Sequence, residues 1–217
     1  MPHLYGPVSG YRFVAWLETE GGLAAIDSGR DVASGKPYEG SEVEAMVEAC
    51  HASGKPLSHV LLTHDHADHV LNLPLLLERW PDAQVYAHPS SAVEGVTERL
   101  RGGESLDIGG ETIQTLYTPG HSTARDELCY YLPEHRFLFC GAVAQPQGPS
   151  YGYATGPSPV PFFHDGGAYR HSLETLIALD AHYGRTGHGD FLGPEQVRQW
   201  LRITLATVAR IEELALQ

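Results

Sequence analysis

From Leu61 to Asn72 the chain reads LLTHDHADHVLN, and the six residues His64 to His69 hold three histidines and two aspartates. Neutral imidazole and carboxylate are the donors that hold Zn2+ and similar borderline metals. A catalytic metal site takes about three protein ligands and keeps one position open. Without a metal, so many polar groups behind an apolar run would have to be desolvated or would repel one another. The run LSHVLLT (57–63), bounded by Gly54 and Pro56, reads as a buried strand. His64 and His66 stand two residues apart at its end and so project to one side. Asp68 and His69 follow one turn on, at the start of a helix expected over 69–79. Four nitrogen or oxygen donors therefore surround one small volume.

The elements that must position these groups alternate strand and helix. YRFVAWLE (11–18) and GLAAID (22–27) are short apolar runs separated by Gly21-Gly22 and read as a hairpin. Residues 28–40 have loop composition. Ser41 and Glu44 form a capping box for a helix over 41–50, with Val43, Met46 and Val47 on its apolar face. AQVYAH (83–88) is strand-like, and 90–101 reads as a short helix. SLDIGG, ETIQTLYT, ELCYYLPE and HRFLFCG, all within 105–141, are strand-like pieces split by turns, which predicts antiparallel sheet. The connector QPQGPSYGYATGPSPVP (145–161) is long for a loop inside a compact domain, and such loops are usually functional or disordered. Tyr169, Leu173, Leu176 and Ile177 mark an amphipathic helix, and TGHG (186–189) a turn. The last helix begins near Pro194, with Val197, Leu201, Leu205 and Val208 on one face. A strand–helix pattern occurring twice is compatible with a duplicated β-sandwich, and 217 residues suit one domain.

A net charge of −13 offers no Lys/Arg cluster to displace counterions, so nucleic acid is not an expected partner. No apolar run approaches the length of a membrane span. The start, MPHLYGPVSGYRF, has neither a basic nor an apolar leader region. Cys50, Cys129 and Cys140 are odd in number and lack CxxC spacing, which suits a reducing cytoplasm. The expectation is a cytoplasmic protein, with no membrane or chain partner inferred.

His64-Asp65-His66-Ala67-Asp68-His69 resembles the HxHxDH signature of the metallo-β-lactamase superfamily, and further motifs follow in that family's order over nearly the whole chain. Asp27, closing GLAAID, matches its first aspartate. TPGHS (118–122) supplies His121, and GHG (187–189) supplies His188. The resemblance implies an α/β fold, an αββα sandwich of two mixed β-sheets flanked by helices, with metals at one edge. It implies that His64, His66 and His121 hold one zinc, that Asp68, His69 and His188 hold a second, and that Asp27 supports the ligands from behind. The implied chemistry is attack of a metal-bound hydroxide on an ester-like carbonyl, with Asp68 steering a proton to the leaving group. A thioester or lactone of a small metabolite is the expected substrate. Alternatives are a β-lactam, or oxygen chemistry on iron resembling the persulfide dioxygenases. A non-catalytic binding module is a further alternative, against which the intact ligand motifs count.

One position departs from the family. Where most of its hydrolases end a strand in Gly-Asp, with the aspartate bridging two metals, RFLFCG (136–141) runs into Ala142, which has no donor atom. Three readings follow. The six remaining ligands suffice, as in one subclass of the metallo-β-lactamases; the second metal binds weakly or not at all, attenuating the enzyme; or the alanine stands in for a native aspartate. The lost carboxylate counts directly against an iron oxygenase. Cys140, two residues earlier, reads as core, as do Cys50 and Cys129. Tyr38, Tyr151 and Tyr153 are candidates for the substrate pocket wall, each offering an apolar face and a hydroxyl. His164 and Asp165, after the long loop, are candidates to approach the site. His59, His88 and His171 lack ligand spacing and read as structural or surface residues.

Overall fold

The computed structural model describes residues 4–5, 14–30, 42–144, 161–188 and 191–217. The first half builds a six-stranded sheet in sequence order: β1 (Leu4–Tyr5), β2 (Ala15–Glu18), β3 (Leu23–Ile26), β4 (Leu57–Leu61), β5 (Gln84–Ala87) and β6 (Glu98–Arg99). The expected hairpin forms, β2 and β3 pairing antiparallel, whereas β3, β4, β5 and β6 run parallel. Their crossovers carry α1 (Glu42–Ser53), α2 (Ala67–Val70) and α3 (Leu73–Arg79). The second half builds another six-stranded sheet from β7 (Ser105–Ile108), β8 (Glu111–Tyr117), β9 (Leu128–Leu132), β10 (Phe137–Phe139), β11 (Tyr183–Arg185) and β12 (Phe191–Leu192). Its pairs are antiparallel except β10 with β11, which are joined through α4 (Gly166–Ala178); α5 (Gln196–Ala215) follows.

Strand periodicity explains the layering. On β3, Ala24 and Ile26 face inward with Leu17 and Leu61, against Ile113, Tyr130, Leu132 and Phe139 of the second sheet. Leu23 and Ala25 face outward with Val60 and Val85, under Val43 and Met46 of α1 and Leu73 and Leu76 of α3. The outer face of the second sheet, including Cys129, Leu138 and Cys140, is covered by Tyr169, Leu173 and Leu176 of α4 and Val197, Leu201 and Val208 of α5. Helix, sheet, sheet and helix thus enclose three apolar layers, the arrangement the resemblance implies. A strand buried on both faces must be apolar throughout, which is why LSHVLLT does not alternate cleanly. Among the described residues no helix is long and apolar enough to cross a membrane.

Two expected helices are corrected. The segment 90–101 is not a helix; it turns at Gly95 (φ +82°) and lays β6 along the edge of β5. Thr97 fixes this by donating its N–H to the Val85 carbonyl while its hydroxyl accepts from the Val85 N–H. The helix expected over 69–79 breaks after Val70, and α3 restarts with Pro in its first turn. Between them the buried Asn72 donates its N–H to the Gly29 carbonyl, tying this crossover to the loop after β3. The proposed cap residue Ser41 lies outside the described residues.

Candidate metal centre

Asp27, Thr63 to His66, His121, Gly141 and His188 all follow strands β3, β4, β8, β10 and β11, so one edge of the sandwich gathers them. Two groups of donor atoms result, His64 with His66 and His121, and Asp68 with His69 and His188, and within each the atoms lie within 4.8 Å of one another. Either group could hold a metal ion. Nδ1 of His66 and Nε2 of His121 are 3.1 Å apart, close to the edge of about 3.3 Å that a tetrahedron with zinc–nitrogen bonds near 2.0–2.1 Å requires. Nε2 of His64 is buried and meets no hydrogen-bond partner, although its ring stands 4.5 Å from His66, 4.2 Å from His69 and 5.0 Å from His121. A buried orphan nitrogen is costly in a folded protein, and a metal ion removes that cost. The donor set therefore fits a divalent metal.

Asp27 sets the ring orientations in both groups. It sits in the left-handed region (φ +62°), which aspartate tolerates better than most residues, and is 1% exposed. Its Oδ1 accepts from the Thr63 backbone N–H at 2.6 Å. Its Oδ2 accepts from the Thr63 hydroxyl at 2.9 Å and from His69 Nδ1 at 2.7 Å. The Thr63 hydroxyl, its one hydrogen committed to Asp27, accepts in turn from His64 Nδ1 at 3.0 Å. Both histidines are thereby held with the Nε2 lone pair facing the centre. His121 is fixed in the same sense by donating Nδ1–H to the Phe162 carbonyl at 2.7 Å. The backbone of the loop after β3 is anchored to the same helix start, since Ser28 and Gly29 donate their N–H groups to the His69 carbonyl.

These surroundings keep most of the imidazoles neutral, as ligands must be. Burial, reinforced by the neighbouring rings, holds His64 well below the usual histidine range, and burial likewise lowers His66. Burial drives His121 and His188 down to about 3. His69 moves upward, because Asp27 at its Nδ1 outweighs the burial that opposes charge. Asp68 moves downward: burial opposes ionisation, but His69 and His188 outweigh it.

Two acids that carry no recognisable motif belong to this edge. Glu127 is 3% exposed, and its Oε1 accepts from the backbone N–H groups of Gly120 at 3.1 Å and of Ser122. It therefore clamps the turn that carries His121 from both sides. Asp126 beside it accepts from the Ser122 hydroxyl, and burial, with Asp65 nearby, pushes it up to about 7. An acid next to Leu128 in ELCYYLPE looks like the polar start of a strand. Its role becomes visible only once the backbone donors it faces are known.

Ala142 is buried in the turn that ends the β10 strand. Gly141 accepts from the Gly187 N–H at 2.7 Å, so this turn is pinned to the loop carrying His188, but position 142 adds no donor to either group. Cys140 packs in the outer core, its thiol driven well up by burial, and enters neither group; Cys50 and Cys129 are buried free thiols as well. His164 is exposed and outside both groups; its ring meets Phe162, whose own ring meets His66 and His121. Asp165 caps α4 through the Ala168 N–H and pairs with Arg125. His59 bonds Ser58, and His88 stacks on Tyr117, both away from the donor groups. Tyr38, Tyr151 and Tyr153 lie outside the described residues. Arg30, unnoticed in the sequence, acts electrostatically on both Asp68 and His188.

The chain belongs to the metallo-beta-lactamase superfamily, whose model matches residues 9–188. It is similar to a hydroxyacylglutathione hydrolase from Legionella pneumophila (strain Paris), 31% identical over 100 residues covering 46% of this chain and 39% of that protein. It is also similar to the lactamase-like protein adaB from Aspergillus niger, 31% identical over 151 residues covering 70% and 43%. These matches span about two fifths of the curated relatives' length. In fold it resembles a metallo-beta-lactamase from Pontibacter korlensis, with a TM-score of 0.70 and 17% identity over 96% of this chain and 99% of that one.

Proposed function

We propose that this chain is a zinc-dependent hydrolase acting on a thioester or lactone of a small metabolite in the cytoplasm, with His64, His66 and His121 holding one ion and Asp68, His69 and His188 the other. The buried, partnerless Nε2 of His64, facing a ring of other imidazoles, is the observation that carries this reading. Zinc in such a site supplies a Lewis acid for a carbonyl and brings the pKa of a water toward about 7. The chain's own groups do the rest. Asp27 keeps His69 and, through Thr63, His64 in the ligand tautomer, and the Phe162 carbonyl does so for His121. In this reading Asp68, its carboxylate favoured by His69 and His188, steers a proton toward the leaving group.

The name of the Legionella relative puts an acylated glutathione among the substrates of similar proteins and supports the thioester. Six ligands without a bridging carboxylate still leave three per ion, enough for open catalytic sites. Position 142 then tunes the second ion rather than deciding whether the centre exists. Assay of zinc content and turnover on thioester, lactone and β-lactam panels tests this. The expected result is zinc-dependent cleavage of a thioester or lactone, with Ala142→Asp raising both zinc occupancy and rate. Stoichiometric iron with oxygen consumption, and no hydrolysis, would overturn it.

A further inference from the structure

The turn that carries His121 is wrapped around the side chain of its own last residue. Residues 118–127 form a loop closed at its ends, where Thr118 donates its N–H to the Glu127 carbonyl at 3.0 Å. The Glu127 carboxylate folds back inside, and its Oε1 accepts the Gly120 N–H at 3.1 Å and the Ser122 N–H. The peptide between those two is held from outside, its Gly120 carbonyl accepting from the N–H groups of His164 and Asp165 at 2.8 and 3.1 Å. Three successive peptide units around His121 are therefore tied down. A Cβ at Gly120 would lie 2.4 Å from the Tyr169 nitrogen, so the turn also stands flush against α4.

This arrangement is expensive. Glu127 is buried, and its Oε2 meets no hydrogen-bond partner. A buried ionisable group costs stability unless it is fully bonded, and the Thr118 pairing already closes the loop without it. What the carboxylate adds is convergence, drawing two N–H donors to one oxygen as a bound anion does in a backbone nest. The backbone of His121 is fixed between them, while its Nδ1 is fixed by the Phe162 carbonyl. Resting on the zinc-hydrolase reading above, we infer that Glu127 is a positioning residue for the His64/His66/His121 ion. It acts through His121, setting the direction in which that imidazole leaves the backbone. Asp27 supports both donor groups, whereas Glu127 supports one.

Competitive zinc titration tests this, read for the His64/His66/His121 ion in a His188→Ala background and for the other ion in a His121→Ala background. Glu127→Ala is expected to weaken the first ion 10–100-fold, the usual loss when a group that orients a ligand is removed, and to leave the second unchanged. Glu127→Gln, whose amide oxygen can accept the same two N–H groups, is expected to keep the first ion. If Glu127→Ala does not fold, Glu127→Asp, which keeps the charge but withdraws the oxygen from the turn, is expected to show the same selective loss. An unchanged first ion, an equal fall at both, or a loss in Glu127→Gln as large as in Glu127→Ala overturns the inference. The His121 Nδ1–H signal in nitrogen-15 NMR of the metal-free chain needs no zinc. It is expected in the wild type and in Glu127→Gln and lost in Glu127→Ala. If the wild type binds no zinc but this signal depends on Glu127, the zinc reading fails and the support of His121 by Glu127 stands; a signal indifferent to Glu127 overturns the inference.

Discussion

Asp27→Asn is expected to leave a folded protein that loses the Asp68/His69/His188 ion first. Asparagine tolerates the left-handed backbone at this position as aspartate does. Its carbonyl oxygen can keep the Thr63 N–H, which leaves its amide facing the Thr63 hydroxyl and His69 Nδ1. An amide there donates where a carboxylate accepted. His69 is then driven to the other tautomer, with a proton on Nε2 where the lone pair should face the metal. Loss of such an outer partner typically costs 10–100-fold in metal affinity, and inversion of the donor should place this variant at or beyond the upper end, about 100-fold. Asp27→Ala goes further. It leaves the Thr63 N–H and His69 Nδ1–H buried without an acceptor, a cost of about 1–3 kcal/mol for each group, and should weaken both ions, since His64 is held through the same Thr63. Competitive zinc titration and thermal unfolding of the two variants separate these effects. Equal, small losses at both sites in Asp27→Asn would show that the carboxylate does not set the tautomer.

Gly187→Ala should be nearly as damaging without removing any ligand. A Cβ at this position would lie 2.6 Å from Cε1 of His69 and 3.1 Å from the carbonyl carbon of Gly141. Neither neighbour can give way easily. His69 is held by Asp27, and Gly141 accepts the Gly187 N–H at 2.7 Å. The methyl group must displace a ligand ring or push the turn at Ala142 from the loop carrying His188. Overpacking of this kind costs about 1–3 kcal/mol. A displacement of about 1 Å at a reacting centre costs on the order of 100-fold in rate. The expected result is a folded chain with turnover down about 100-fold and the Asp68/His69/His188 ion weakened. Wild-type turnover and zinc affinity in Gly187→Ala would mean that His69 is not where the chemistry needs it.

Both predictions rest on features the sequence shows only in part. The ligands themselves are legible, because their chemistry is written in residue type and spacing. His64 and His66 at a strand end, then Asp68 and His69 a turn later, need no tertiary information to be placed together. The strands are legible as apolar runs with turns between them, but the sandwich they build, like the completion of the ligand set by His121 and His188, is implied by the family resemblance rather than by the runs themselves. What escapes are interactions made through backbone groups. Glu127 reads as a strand's polar flank until its carboxylate is seen to hold the N–H groups on either side of His121. Phe162, just past the connector, belongs to no motif, and its part in the centre shows only when its carbonyl is seen on His121. The misread helix at 90–101 fails for a related reason: a Thr97 hydroxyl and a glycine turn, more than periodicity, decide that this segment joins a sheet edge. The break at Asn72 is likewise set from outside, by the Gly29 carbonyl that accepts its N–H.

The most direct measurement is the zinc stoichiometry of the chain and of His121→Ala, His188→Ala and the double variant, each dialysed against buffered zinc and read by mass spectrometry. The two donor groups predict one to two zinc ions per chain. His121→Ala should lose the ion of the His64/His66 group, His188→Ala should lose whatever occupies the Asp68/His69 group, and the double variant should hold none. A wild-type chain that retains no zinc, or a double variant that retains as much as the wild type, would contradict a metal centre built from these six residues.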